Sequence, residues 1–172
     1  MFGFKTPTWV WSCSCGMINV ATLDYCLTCK KPRQVLTYDE YFKHSVNPVY
    51  ADEYTDLVRE NGIKMLDKVN SLLIEFDFKD VKMSSGWRPL AYNVKIGGAR
   101  RSNHIKGLAV DIKDDGELAI KCYENQECLK RRGLAMEHPN WTPGWVHLQL
   151  GFPRSGRTVF IPSSAPAKRK LV

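Results

Sequence analysis

The sequence predicts an α+β fold in which helices pack on a mixed, mainly antiparallel sheet, preceded by a small module built on cysteines. Three features carry this reading. From about Asp52 to Phe76 the apolar residues Leu57, Ile63, Leu66, Val69, Leu72, Leu73 and Phe76 recur at threes and fours, which is one stripe of a long helix. The segments 108–112 and 145–150 read as strands, with Val110 and Ile112 on an inward face opposite Asp111 in the first and His147 on the polar alternating face of the second. Four of the six cysteines fall within the first thirty residues.

A chain of 172 residues builds one well-buried domain and leaves room for an accessory module too small to have a core of its own. The expected divisions are a cysteine module at 1–32, a main domain at 33–162 and a basic, Pro- and Ser-rich tail at 163–172. A hydrophobic share of 44% and a charged share of 25% match ordinary globular proteins and exclude extensive disorder. The net charge of +7 admits polyanions, nucleic acid or wall polymers among them, as neighbours. Much of the excess sits in local clusters, Arg100 with Arg101, Lys130 to Arg132 and Lys168 to Lys170, which read first as solvated surface. No run of 18 apolar residues is present, and the first residues lack the basic and apolar regions of a leader, so the expectation is a chain made in a cytoplasm without a membrane segment.

Cys13, Cys15, Cys26 and Cys29 form two close pairs separated by ten residues. Two short-spaced pairs supply the four thiolates that a structural zinc ion takes in tetrahedral geometry, and they close a loop too small to fold by burial. Two disulfides are the alternative, disfavoured in a reducing compartment. With Trp11 before the first cysteine and Asn19 four residues after the second, the stretch resembles the Ran-binding-protein type of zinc finger. It departs from that pattern in the first pair, where one residue rather than two or more separates the cysteines. The resemblance implies single-stranded RNA or ubiquitin as partner, beside the plainer role of a structural staple or docking knob.

After a linker ending near Arg33, Thr37 and Glu40 offer a capping box that should open a short helix. The long helix follows, with Gly62 inside it at a cost of about 1 kcal/mol. Residues 81–83 read as a strand, and 84–89 as the loop leaving it. Residues 117–129 read as a helix, with Cys122 and Cys128 on different faces as buried thiols rather than metal ligands.

The segment Ser102 to Asp111 contains His104 and Asp111, seven residues apart. Seven residues span about 10 Å on a helix and more than about 20 Å on a strand, so neither brings both side chains to one ion. The chain must turn between them, and Gly107 permits it. Asp111 then lies on a strand with Val110 and Ile112 facing inward and Ala109 and Asp111 facing the other way. His147, on the polar face of the strand at 145–150, supplies a third ligand. Three protein ligands with one open position describe a catalytic zinc site.

Ser-x-His-x-x-Gly-x-Ala-x-Asp at 102–111, followed by Trp-x-His at 145–147, resembles the zinc D-Ala-D-Ala carboxypeptidase family, which includes phage endolysins and vancomycin-resistance dipeptidases. The likeness extends upstream to Ser85, Gly86, Trp87, Arg88 and Asn93, and spans roughly residues 36–162. It implies His104, Asp111 and His147 as zinc ligands on an open sheet face, and a peptidoglycan stem peptide as substrate. It also implies Arg88 as a catalytic group holding a substrate carboxylate or carbonyl, with Ser102 and Asn93 beside it, a task that suits a guanidinium fork. The family's general base commonly stands three residues before the last histidine, where this chain has Gly144. Glu137 is the expected replacement, ahead of His138.

The resulting expectation is a wall-degrading zinc peptidase of bacteriophage type, released by a holin, a virion or lysis, with one catalytic and one structural zinc. Its rival is a virion tail or baseplate component whose metal site is kept for stability, with finger or tail docked on virion proteins. A nucleic-acid role rests on the finger and basic tail alone.

Overall fold

The computed structural model describes residues 10–12, 17–20, 25–30 and 33–162. Two short strands, β1 (Val10–Ser12) and β2 (Ile18–Val20), pair antiparallel with Trp11 opposite Asn19. Asn19 is buried. Its Oδ1 accepts from Leu27 N at 3.0 Å and its Nδ2 donates to Met17 O at 3.3 Å, which ties the hairpin to the segment carrying Cys26 and Cys29. Cys13, Cys15 and the 163–172 tail lie outside the described residues.

The main domain opens with α1 (Tyr38–Tyr41), capped by Thr37, whose side-chain oxygen accepts from Glu40 N at 3.3 Å. A 3-10 turn at Pro48–Glu53 follows, then α2 (Asp56–Glu75), capped in the same way by Thr55 on Val58 N. The long helix therefore starts four residues later than its apolar pattern suggests. Leu57 is 66% exposed and the stripe begins instead at Val58, continuing through Met65, Leu66, Val69, Leu72 and Leu73. Asn70 on this stripe is buried because its amide serves the backbone of the incoming chain, accepting from Val35 N and Leu36 N and donating to Leu36 O at 3.0 Å. Gly62 is buried too, and a Cβ there would lie 2.2 Å from the Phe42 ring and 2.7 Å from the Tyr41 ring. The glycine that weakens the helix is what lets α1 seat its aromatic pair on α2.

β3 (Met83–Ser85), α3 (Leu90–Lys95), β4 (Ala109–Lys113), α4 (Glu117–Glu124), α5 (Gln126–Lys130), β5 (Leu134–Glu137), β6 (Trp145–Leu150) and β7 (Val159–Phe160) complete the domain. β3 lies two residues beyond the expected 81–83. The helix expected at 117–129 is two helices, broken where Asn125 leaves helical geometry and turns its side-chain amide onto Lys121 O. Cys122 is fully buried, but Cys128 is half-buried with its Sγ 3.3 Å from Glu75 Oε1, so only one of the two thiols is a core residue.

The five strands lie in the order β3-β4-β6-β5-β7, antiparallel except for the parallel β5–β7 pair. The α+β class with a mixed, mainly antiparallel sheet is thus realised. Val110, Ile112, Met136, Val146 and Leu148 on one face join the α2 stripe in a single core. The other face carries Asp111 and His147. Among the described residues no helix is long and apolar enough to cross a membrane.

Candidate metal centre

The site is assembled from one row of the sheet and one loop. Across the row, Ser85 pairs with Asp111 and Asp111 with His147. The β5–β6 register matches Ala135 with Gln149 and Met136 with Leu148, so its next step sets Glu137 alongside His147, and Glu137 in turn pairs with Phe160. Met136 and Leu148 face the core. Because side chains alternate along a strand, Glu137, His147 and Asp111 therefore share the opposite face on three adjacent strands.

His104 reaches this row from the turn at 103–107. Gly107 has φ +70°, and a Cβ on it would stand 2.6 Å from Val58 O, so the turn needs glycine both for its backbone conformation and to lie against α2. Asn61 on α2 donates to Lys106 O at 3.0 Å, and Ser102 Oγ accepts from His104 N at 3.3 Å. The imidazole is 1% exposed, and its Nδ1 lies 2.7 Å from Gly86 O.

His104 Nε2, the Asp111 carboxylate and His147 Nδ1 converge. Asp111 Oδ1 is 2.7 Å from His147 Nδ1, and Asp111 Oδ2 is 3.2 Å from His104 Nε2 and 3.2 Å from Arg88 Nη2. One ligand atom from each of His104, Asp111 and His147 lies within 4.8 Å of the others. The His104 contact lacks hydrogen-bond alignment, so Nε2 is a buried nitrogen without a hydrogen bond. Such an atom costs on the order of 1–3 kcal/mol. Two imidazole nitrogens and a carboxylate oxygen are the donors zinc takes, and a metal ion is the partner that the orphaned Nε2 lone pair lacks. The residues fit the ion.

The electrostatics agree with this donor set. Burial pulls the His104 pKa down, against the pull of Asp111, and so favours a neutral, ligating ring. Burial acts to raise the Asp111 pKa, but contacts with the two imidazoles hold it well below the usual carboxylate range. His147 is raised: burial lowers it, and the Asp111 hydrogen bond and charge, with Glu137, overcome that. Glu137 itself is half-buried and raised, by burial first and by the Asp111 charge, with His147 and Arg88 acting the other way.

The site residues that the sequence marks in the main domain take definite places. His104, Asp111, His147 and Arg88 come together, and Glu137 stands beside them electrostatically and in register. Gly144, where the family commonly has its base, is a turn residue with φ +86°. Ser102 is half-buried and caps the His104 loop. Asn93, expected near the substrate, is instead fully buried, with Nδ2 donating to Ala99 O at 3.0 Å, so it braces the turn at 97–99. Gly86, whose carbonyl meets His104, and Tyr41, whose hydroxyl donates to Ala109 O at 3.0 Å on the strand of Asp111, were not singled out for the site. No spacing rule marks a backbone acceptor or a distant tyrosine.

The chain matches the family model Peptidase M15 over residues 37–149, and it belongs to that family. This is a family of zinc-dependent peptidases that act on peptidoglycan. The matched segment includes all three residues of the metal cluster together with Arg88 and Glu137. No curated protein matches the chain.

Proposed function

We propose that the chain is a zinc metallopeptidase that hydrolyses a peptide bond in peptidoglycan stems, with His104, Asp111 and His147 as its metal ligands, Glu137 as general base and Arg88 as the substrate-orienting group. The observation that carries this reading is the sheet row that runs from Asp111 through His147 to Glu137, with Glu137 on the strand next to that of His147. Zinc held by these side chains supplies Lewis acidity, which polarises the scissile carbonyl and acidifies water. Glu137 then takes a proton on its carboxylate and delivers it to the leaving amine, and a pKa raised by burial suits a group that must do both. Arg88 gives one of its donors to Asp111 and uses others to hold a carbonyl or carboxylate of the peptide.

The likeness of residues 85–93 to phage members of the family supports a lytic enzyme of bacteriophage type, acting on the wall after release or from a virion. A virion component without catalysis is the reading that Gly144 at the usual base position favours, and in the present proposal Glu137 supplies the carboxylate missing there. At the N-terminus, Cys13, Cys15, Cys26 and Cys29 bind a structural zinc in a finger covering 1–32, and the exposed Ile18, Tyr25 and Leu27 support its use in docking a protein or single-stranded nucleic acid. The 163–172 tail is a separate basic extension.

Digestion of purified peptidoglycan stem peptides, followed by mass spectrometry, tests the enzymatic reading. New termini at one defined bond, lost with a chelator and restored by zinc, are expected. Intact peptides in the presence of zinc-loaded protein would overturn it.

A further inference from the structure

We propose that Gly86 and Trp87 are positioning residues that fix which nitrogen of His104 is free, an inference that rests on the reading of His104 as a metal ligand. The segment 86–88 runs alongside the turn at 102–107 and is joined to it at three points. Gly86 O receives His104 Nδ1 at 2.7 Å, Arg88 N donates to His104 O at 3.2 Å, and the Trp87 indole Nε1 donates to Ile105 O at 3.1 Å. The segment is itself held from behind. Trp87 N donates to Tyr41 O at 3.0 Å, and a Cβ on Gly86 would lie 2.5 Å from Tyr41 O and 2.7 Å from Tyr41 Cα. Trp87 is 1% exposed and stacks at a tilt on Tyr54 with ring centroids 5.3 Å apart, so its indole has one place to go.

The chemical consequence follows from the acceptor. A carbonyl oxygen accepts and cannot donate, so the neutral His104 ring carries its hydrogen on Nδ1, and the lone pair is left on Nε2. Nε2 is the buried atom without a hydrogen bond that faces Asp111. Gly86 O thus selects the ligating nitrogen, and the Trp87 indole keeps the loop of His104 at the distance where that selection holds. Partners of this kind, lying behind a metal ligand, change metal affinity by about 10–100-fold when lost.

The test uses the full chain and two readouts. In metal-free wild-type protein, long-range nitrogen–proton correlation NMR of His104 is expected to show a pyrrole-type Nδ1 and a pyridine-type Nε2. In Trp87→Phe, which keeps an aromatic ring and removes the indole donor, the His104 nitrogens are expected to average toward a mixture, and the zinc dissociation constant of this site, from chelator competition, to rise about 10–100-fold. Val69→Ala, a core truncation on α2 away from the site, is expected to lower Tm without moving either readout. A wild-type ring with its hydrogen on Nε2 overturns the proposal even if the variant does not fold. So does a folded Trp87→Phe whose zinc affinity changes no more than that of Val69→Ala. If zinc fails to bind the wild type while the Nδ1 hydrogen is observed, the metal reading falls and the positioning by Gly86 stands.

Discussion

Asp111 and His147 stand opposite each other on adjacent antiparallel strands, with Asp111 Oδ1 2.7 Å from His147 Nδ1. The pair sets the pH dependence of the metal-free protein. The folded Asp111 pKa lies below its unfolded value, so its contribution is present above about pH 4 and is lost as pH falls toward the depressed value. The folded His147 pKa is raised, so its contribution is complete below about pH 6.5 and is lost as pH rises through the folded value. Thermal melts of chelated protein should therefore show greatest stability from these two groups between about pH 4 and 6.5. Asp111→Asn should flatten both limbs, since it removes the charge that each term needs.

Glu137→Gln should lower kcat by about 10² to 10⁴ with little change in zinc content, because it removes a proton carrier and leaves the three ligands in place. Steady-state kinetics beside metal analysis separates these effects. Because the folded Glu137 pKa is raised, ionising it costs stability as pH rises, and the neutral amide is spared that cost. The variant should accordingly melt higher than wild type near neutral pH in the metal-free state.

Zinc should stabilise the main domain as well as activate it. A ligand that binds only the folded state at a concentration 100 times its Kd adds about 2.7 kcal/mol. Calorimetry with and without chelator should show this as a rise in Tm, and His147→Ala should remove the part of the rise that belongs to this site.

Gly62→Ala should destabilise the fold by about 1–3 kcal/mol, although alanine is the better helix former by about 1 kcal/mol. The new methyl would meet the Phe42 and Tyr41 rings, and two large aromatic side chains must move to admit it. Urea denaturation would register this as a lower midpoint at unchanged slope.

The parts of this structure legible in the sequence are those whose periodicity and chemistry coincide. The α2 stripe, the alternation in β6 and the need for a turn at Gly107 follow from spacing, and the metal triad follows from that turn together with Asp111 on β4 and His147 on the polar face of β6. The strand β5 did not show itself because Leu134, Ala135 and Met136 are all buried, which erases alternation, and alanine, methionine and glutamate carry little strand propensity. With β5 unseen, Glu137 stands in the sequence as the expected base without a strand to carry it, and only the register against β6 sets it beside His147. Asn93 shows the converse: the motif marks it as a polar residue near the substrate, and the structure buries it with its Nδ2 donating to Ala99 O.

Anomalous diffraction at the zinc edge from crystals of the zinc-loaded protein tests the central claim most directly. A peak is expected about 2.0–2.2 Å from His104 Nε2, an Asp111 carboxylate oxygen and a ring nitrogen of His147. Catalytically active, zinc-loaded protein with no peak among these three side chains would contradict it.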